Sequence, residues 1–313
     1  MLNSCDKAIV HIVDDAYVDM LSGNDPGVIR RGLDYHFHPA NKPVWADGGI
    51  CLVIDVYKGD RCKRILIDGG YSSEVVLHNM AIMGIDPSSI DVAVLSHGHP
   101  DHFGGFADVI AAVGHSVPLY VHPHSFIPRS IIRGDGFSMD YINRELSIRR
   151  LEDAGAKIIE LTSPLQLAPG FILTGQIERT VDFESEAPSG RKRILNGALE
   201  PDSILDDMGF ACNVRDIGLV VVSMCGHSGI ISTIRHCQKI TGVHSVYGVL
   251  GGFHLGHPGV PAKIIDATVD SLKELDVKRL APFHCSGMVM RMAAAKALPD
   301  AYLAVGAATS IEF

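Results

Sequence analysis

Four side chains of the kinds that bind metal ions fall within six consecutive positions: His97, His99, Asp101 and His102. They follow directly after the apolar run Val92–Leu95, which has the composition of a buried strand. Imidazole and carboxylate groups at the end of a strand can converge on one cation. A bound cation lowers the pKa of water and supplies hydroxide at neutral pH, so the motif predicts metal-assisted chemistry.

Three further histidines stand at the ends of apolar segments much later in the chain. His227, His254 and His284 each follow a run with the composition of a buried strand. The carboxyl ends of strands in an α/β sheet lie along one edge, where ligands gather. The pattern therefore predicts that these three imidazoles lie close to the motif at residues 97–102.

Hydrophobic periodicity predicts the elements that must position these side chains. The predicted strands are 8–13, 50–56, 64–67, 92–95, 117–121, 157–161, 170–174, 210–214, 218–223, 246–250, 279–282, 302–305 and 309–313. The predicted helices are 74–83, 102–113, 261–275, 287–297 and 228–240, the last with Ser228 as its N-cap. Two strand-rich halves, each followed by alternating strands and helices, predict an α/β fold: a four-layer αββα sandwich of two mixed β-sheets with helices outside.

No stretch has the composition of a flexible linker, so residues 1–313 are predicted to form a single domain. Residues 122–205 are predicted to be an insertion that lies over the site. The run Arg191–Arg193 within it is predicted to be a solvated loop. The seven cysteines include no Cys-x-x-Cys pair, which argues against a disulfide framework. Cys225 and Cys285 are expected to pack beside the site rather than to bind metal.

The bulk composition limits the partners of the protein. A net charge of −9 argues against binding to nucleic acid or to an anionic membrane. No apolar run reaches the roughly 18 residues that a membrane helix needs, and residues 1–15 lack the features of a signal peptide. We therefore expect a cytoplasmic protein, with no nucleic acid or membrane partner, and the sequence leaves a homodimer open.

Beyond these patterns, the chain resembles the metallo-β-lactamase superfamily. More narrowly, it resembles the branch named after 7,8-dihydropterin-6-methyl-4-(β-ribofuranosyl)aminobenzene-5′-phosphate synthase. The resemblance spans about residues 8 to 313. The matching segments are Ile67–Gly70, Leu95–Gly105, Leu173–Arg179, Ile204–Asp207, Gly226–Ile230, Gly251–Leu255 and His284–Gly287.

This resemblance implies two metal positions and a single metallo-β-lactamase-like domain. His97, His99 and His227 would hold one divalent ion, and a second group would hold another: Asp101, His102 and His284. Zinc is the first expectation, and iron or manganese suit the same ligands. Asp68 would orient a ligand histidine from behind.

One position departs from the superfamily pattern. Most members with two metals have an aspartate that bridges both ions, and the resemblance aligns His254 with that place. A neutral imidazole has one lone pair and cannot bridge as a carboxylate does. His254 is therefore open to three roles: terminal ligand, substrate-facing group or proton carrier. Asp101 and His254 are the candidate catalytic residues.

Other candidates concern the substrate. His122, Arg129 and Arg179 could support the site or bind an anionic group, while Gln176 and Glu178 differ from the residues common in the branch. The leading expectation is a hydrolase that uses metal-bound hydroxide on a small phosphorylated or ester substrate. The alternatives are a pterin/phosphoribosyl-arene synthase, which is a transferase, and a non-catalytic metal-binding sensor.

Overall fold

The computed structural model describes residues 2–132, 138–140, 146–186 and 191–313, which form two large sheets, a small third sheet and flanking helices. The first sheet has the spatial order β2-β18-β1-β3-β4-β5-β6-β9. Its strands are β1 (Lys7–Asp14), β2 (Val28–Ile29), β3 (Cys51–Lys58), β4 (Arg61–Ile67), β5 (Val92–Leu95), β6 (Val117–Val121), β9 (Ala156–Glu160) and β18 (Thr309–Glu312). Strands β4, β5, β6 and β9 run parallel, and the others pair antiparallel.

The second sheet has the order β10-β11-β14-β15-β16-β17, with β15, β16 and β17 parallel. Its strands are β10 (Leu165–Ala168), β11 (Phe171–Leu173), β14 (Gly209–Val214), β15 (Gly218–Ser223), β16 (Val246–Gly251) and β17 (Arg279–Pro282). The third sheet has the order β13-β12-β7-β8. Its strands are β7 (Arg129–Ile132), β8 (Ser138–Asp140), β12 (Arg191–Leu195) and β13 (Ala198–Pro201).

Helices connect the parallel strands and cover the outer faces of the two large sheets. They are α1 (Leu33–Phe37), α2 (Ser73–Met83), α3 (Pro100–Phe103), α4 (Phe106–Val113), α5 (Ile148–Asp153), α6 (Ile230–Thr241), α7 (Ala262–Glu274) and α8 (Gly287–Ala297). Short 3₁₀ turns occupy Pro87–Ser89, Pro123–Phe126, Asp182–Glu186 and His284–Ser286. Within the described ranges, no helix is both long enough and apolar enough to cross a membrane.

Alternation along the central strands produces the layers. On β3, Leu52 and Ile54 face the core between the two large sheets, whereas Val53 faces the core beneath α2 and α4. On β15, Val222 faces the same central core, whereas Val221 packs under α6, α7 and α8. Because both faces of each sheet are covered, the central residues of these strands, 51–54 and 219–222, are apolar without a break. The predicted four-layer αββα fold is confirmed.

Three local predictions were wrong. The helix predicted over 102–113 is two helices, because the chain changes direction at two glycines between α3 and α4. Ser228 is not an N-cap. Instead, α6 begins at Ile230, and the Glu184 carboxylate accepts the N–H groups of Ile231 and Ser232 at 2.7 and 2.9 Å. Residues 302–305 form one bridge to β17, and their alternating apolar pattern reflects burial in the core.

Residues 122–205 contain the third sheet, although 133–137, 141–145 and 187–190 lie outside the described residues. The prediction of a solvated loop at Arg191–Arg193 was wrong. These residues begin β12, pair with β7 and β13, and are partly buried. A run of basic residues does not distinguish a solvated loop from a strand of a small peripheral sheet, because long basic side chains can face a neighbouring site as well as solvent.

Candidate metal centre

Parallel strands deliver the candidate ligands to one edge of the molecule. His227, His254 and His284 follow β15, β16 and β17, whose carboxyl ends lie side by side. The motif at 97–102 follows β5 of the other sheet, and the two sheets meet here. The Met208 amide donates to the Ser96 carbonyl at 3.2 Å, which ties the end of β5 to the second sheet.

The first donor group consists of three imidazole nitrogens. His97 Nε2 lies 2.9 Å from His99 Nδ1, and His227 Nε2 lies 3.2 Å from each of these atoms. Nitrogens held at about 2.0–2.1 Å by a tetrahedral zinc ion stand about 3.3 Å apart, so this spacing fits one cation. Burial lowers the pKa of all three imidazoles well below its ordinary value. The rings are therefore neutral, as metal ligands must be.

The second donor group joins one carboxylate to two imidazoles. Asp101 Oδ2 lies 3.6 Å from His102 Nε2 and 3.3 Å from His284 Nε2, and both nitrogens are buried without a hydrogen bond. Burial alone would raise the pKa of Asp101, but attraction to His102 and His284 holds it well below its usual range. Burial alone would lower the pKa of His284, but Cys285, Asp101 and Asp15 raise it to about 9. A divalent cation fits this donor set and would displace the His284 proton.

Asp68 lies directly behind the second donor group. Its carboxylate accepts His102 Nδ1–H at 2.6 Å and the Ser96 amide and hydroxyl at 2.7 and 2.6 Å. The bond to Nδ1 leaves the lone pair of His102 on Nε2, the atom that faces Asp101. The resemblance implies an orienting role for Asp68, and this contact has the geometry that such a role requires.

Arg129 holds the loop between the first two histidines. Its guanidinium donates to Asp202 at 2.6 Å, to Asp206 at 2.5 Å and to the Gly98 carbonyl at 3.3 Å. A β-carbon at Gly98 would lie 2.1 Å from the Ser125 carbonyl oxygen, so this close packing needs glycine. Because Arg129 is 3% exposed and paired to two carboxylates, the structure places it in support of the loop rather than against a substrate.

His122 lies near this network and outside both donor groups. The ring is buried close to Asp206 and Arg129, and its Nδ1 accepts the His124 amide at 3.1 Å. Burial lowers the pKa of His122, so the ring is neutral near pH 7. The structure therefore places this candidate beside the positioning network and not beside the ligand nitrogens.

His254 contacts the site through both ring nitrogens. Arg191 Nη2 donates to His254 Nε2 at 2.5 Å, and Cys225 Sγ lies 3.4 Å from His254 Nδ1. Arginine is always a donor, so Nε2 accepts and the neutral ring carries its proton on Nδ1. Burial lowers the pKa of His254, which favours this neutral form. His257 Nε2 also lies close to Nδ1, at 3.3 Å.

A cavity of about 240 Å³ lies beside His227 and His254. Its charged lining includes Arg179, Glu184, Arg191 and Asp202, and its apolar lining includes Val181, Ile204, Ile230, Phe253, Leu255 and Ile264. The predicted substrate residue Arg179 lies on this wall and donates to the carbonyl oxygens of Ser203 and Ile204. The cavity joins cationic groups to an apolar surface next to the first donor group.

Comparison with known proteins agrees with this geometry. A family model described as the metallo-beta-lactamase superfamily matches residues 48–159. The 7,8-dihydropterin-6-methyl-4-(beta-D-ribofuranosyl)-aminobenzene-5′-phosphate synthase of Methanocaldococcus jannaschii is 33% identical over 249 residues, covering 79% of this chain and 83% of the relative. The chain belongs to the metallo-β-lactamase superfamily. The resemblance that the motifs carry is thereby confirmed.

Two further matches extend the comparison within the metallo-β-lactamase superfamily. An uncharacterized protein of the same organism is 29% identical over 248 residues, covering 79% of this chain and 87% of the relative. The crystal structure of a metal-dependent hydrolase of the beta-lactamase superfamily covers 98% of this chain and 99% of its own, with a TM-score of 0.72 and 18% identity. This structural likeness shows that the two chains share a fold. Membership of the superfamily implies that the chain is an enzyme that binds divalent metal.

Buried carboxylates that the sequence patterns did not single out hold the backbone next to the candidate ligands. Asp15 accepts the His284 amide at 2.8 Å, Asp206 accepts the Gly98 amide at 2.8 Å, and Asp207 accepts the Ser228 amide at 2.7 Å. A signal for them was present, since Asp206 and Asp207 lie in one of the matching segments. Arg191 had no such signal, because its partner His254 is distant along the chain.

Replacing Asp68 with asparagine tests the second donor group. We expect Asp68→Asn to weaken metal affinity by about 10- to 100-fold, because an amide nitrogen can turn toward His102 Nδ1 and remove the acceptor that fixes its tautomer. Competition with a chromophoric chelator measures the affinity. Asp60→Asn changes an exposed carboxylate and is the matched control. Unchanged affinity in Asp68→Asn would contradict the orienting role.

Asp14 predicts a distinct dependence of stability on pH. Its carboxylate is buried at the end of β1, and burial together with the nearby Asp47 raises its pKa from 3.8 to about 9. The native state therefore binds more protons than the unfolded state between these values. We expect the free energy of unfolding to lose this contribution progressively as pH rises from about 4 to 9. In urea unfolding at several pH values, Asp14→Asn should flatten the dependence, and an unchanged slope would contradict it.

Proposed function

We propose that the chain is a metal-dependent hydrolase that acts on a small substrate carrying a phosphate or ester group. The observation that carries this proposal is the convergence of two donor groups, each spaced to hold one cation, beside a cavity whose wall includes two arginines. His97, His99 and His227 would hold one ion, and the other would be held by Asp101, His102 and His284. Zinc suits the nitrogen-rich first group, and iron or manganese suit the second as well.

A bound divalent ion supplies Lewis acidity and lowers the pKa of water at the site. The side chains around the site would bind and position the substrate. Arg191 contacts His254 and lines the cavity, so its guanidinium can bind a phosphate oxygen of the substrate there. Arg179 adds a second cation at the same wall. The apolar lining excludes water around the body of the substrate and strengthens these charge contacts.

The two candidate catalytic residues receive different roles in this proposal. Asp101 remains a carboxylate ligand, because its anionic form is favoured and it faces two imidazole nitrogens. His254 is assigned to positioning, because Nε2 accepts from Arg191 and the Nδ1 proton faces Cys225. His254 would thus hold Arg191 in place at the cavity rather than transfer a proton to the substrate.

The test compares metal-loaded protein with protein depleted by a chelator and dialysed. A panel of phosphomonoesters, phosphodiesters, carboxylic esters and lactones is assayed with each form, and elemental analysis gives the metal content. We expect hydrolysis of at least one phosphorylated class by the loaded form alone, with recovery when metal is restored. Equal hydrolysis by both forms would overturn the proposal. Bound metal without any turnover would favour the alternative of a non-catalytic sensor.

A second candidate is a synthase that joins a pterin-like group to a phosphoribosyl arene. Two observations favour it. The chain is 33% identical to the named synthase. The apolar wall of the cavity includes Phe253 and lies next to arginines, so the cavity fits an aromatic ring beside a phosphate. Glu178 differs from the residue common in the branch, but this difference does not argue against a synthase. Its side chain is exposed, pairs with Lys239 at a distance of 2.7 Å and does not line the cavity. Product analysis with the pterin and arene substrates separates the two candidates. Hydrolysis without coupling would eliminate the synthase.

A further inference from the structure

Cys225 lies where the two donor groups meet. Its Sγ falls within 4.8 Å of the ligand nitrogens in three separate sets, namely with His97 and His102, with His227 and His254, and with His284 and Cys285. These sets include nitrogens from both proposed metal positions. The side chain is 2% exposed, so the sulfur is held inside the protein among these donors.

The surroundings of the sulfur indicate a role in metal binding rather than simple packing. His102 and His284, whose Nε2 atoms are buried without a hydrogen bond and face Asp101, each share a donor set with Cys225 Sγ. A thiol has a single proton and cannot serve both. A thiolate has several lone pairs and can contact two cations, whereas a neutral imidazole has only one. A nitrogen and a sulfur on one tetrahedral zinc stand about 3.6 Å apart, and the donor atoms of these sets all lie within 4.8 Å of one another.

His254 and Cys285, the two neighbours of Cys225, are less well placed to contact both donor groups. Both ring nitrogens of His254 are engaged, one by Arg191 and the other by Cys225 itself. The Cys285 thiol lies 3.0 Å from the Cys225 carbonyl oxygen and donates to it, and it shares a donor set with His284 but with no histidine of the first group. Cys225 Sγ donates to Cys285 Sγ at 3.3 Å, so the two thiols are in direct contact.

We propose that Cys225 binds the metal centre as a thiolate shared between the two donor groups. On metal binding the thiol proton leaves to solvent, and the sulfur forms the bond to metal in its place. The Nδ1 proton of His254, 3.4 Å from the sulfur, then stabilises the negative charge. This inference rests on the proposed metal centre, and it assigns to a cysteine the bridging place that His254 cannot fill.

The experiment loads the full chain with Co²⁺ alone and records its absorption spectrum. A thiolate bound to Co²⁺ gives an intense charge-transfer band in the near ultraviolet, and tetrahedral Co²⁺ gives weaker visible bands from any ligand set. Four proteins are compared: the unchanged chain, Cys225→Ser, Cys285→Ser and Cys237→Ser. Cys237 lies in α6 and is buried in the core between the second sheet and its covering helices, so it is the matched control. Circular dichroism and elemental analysis establish folding and metal content for each.

We expect the charge-transfer band in the unchanged chain, in Cys285→Ser and in Cys237→Ser, and its loss in Cys225→Ser with visible bands retained. Cobalt affinity of Cys225→Ser should fall at least tenfold. If the unchanged chain is folded and binds cobalt but lacks the band, the inference is overturned and the metal centre stands. This outcome does not depend on whether the variants fold. Loss of the band in Cys285→Ser alone would also overturn it. If the unchanged chain binds no cobalt, the metal centre itself fails.

Discussion

Replacing His97 and Asp101 together with alanine is expected to remove metal from both donor groups and to lower kcat/KM at least about 10³-fold. The double variant takes one ligand from each group, and a catalytic metal supplies several kcal/mol of transition-state stabilisation. Each factor of ten in rate corresponds to about 1.4 kcal/mol, so the loss of this contribution gives an effect of that size. Elemental analysis and steady-state kinetics on the best substrate of the panel measure both changes.

The control for this variant is His115→Ala. His115 is exposed and its ring contacts only the backbone carbonyl oxygens of Ser88 and Ser116 among the described hydrogen bonds, so its loss should change neither metal content nor rate. A double variant that stays folded, binds no metal and yet keeps the activity of the unchanged chain would refute the assignment of these ligands to catalysis.

Arg129→Met should destabilise the protein by about 3–5 kcal/mol. The change keeps much of the side-chain volume but leaves Asp202 and Asp206 buried without their cation, and breaking one side of a buried ion pair carries a cost of this size. Urea unfolding at pH 7 measures the difference. The Gly98 carbonyl also loses its donor, so metal affinity should fall together with stability.

Two further variants show whether the cost arises from the unpaired carboxylates. Arg149→Met removes an arginine whose side chain is 90% exposed beside Asp153, and no measurable loss of stability is expected. In the Arg129→Met background, Asp202→Asn and Asp206→Asn remove the stranded charges and should recover part of the stability. A loss in Arg129→Met no larger than in Arg149→Met would rule out this network as a support of the site.

The sequence was sufficient to predict the elements that carry the ligands because their signals are local. Val92–Leu95 is a short apolar run next to four metal-binding side chains, and its strand has the predicted bounds. The parallel strands β15, β16 and β17 each end just before the candidate histidine that was selected on that pattern. The geometry then brings His227 to His97 and His99, although His227 lies 130 and 128 residues away from them along the chain.

The remaining features depend on contacts that periodicity does not encode. Arg191 belongs to a basic run with no apolar pattern, and its contact with His254 requires the third sheet to pair β12 with β7. Likewise, the cap of α6 comes from Glu184, which no local capping pattern predicts. The sequence left Arg129 open between supporting the site and binding an anionic group, and the two buried carboxylates that pair with it became evident only in the fold.

Under the proposed function, residues 122–205 would set the choice of substrate, and the two central sheets would carry the metal ligands. The ligands follow strands of the two central sheets, whereas Arg179 and Arg191 on the cavity wall come from residues 122–205. Under the proposed function, randomising Arg179 and Arg191 while keeping Arg129 and its two aspartates fixed would alter which molecules are accepted and leave the six candidate ligands unchanged. Such modularity makes this stretch the natural starting point for directed evolution of new selectivity.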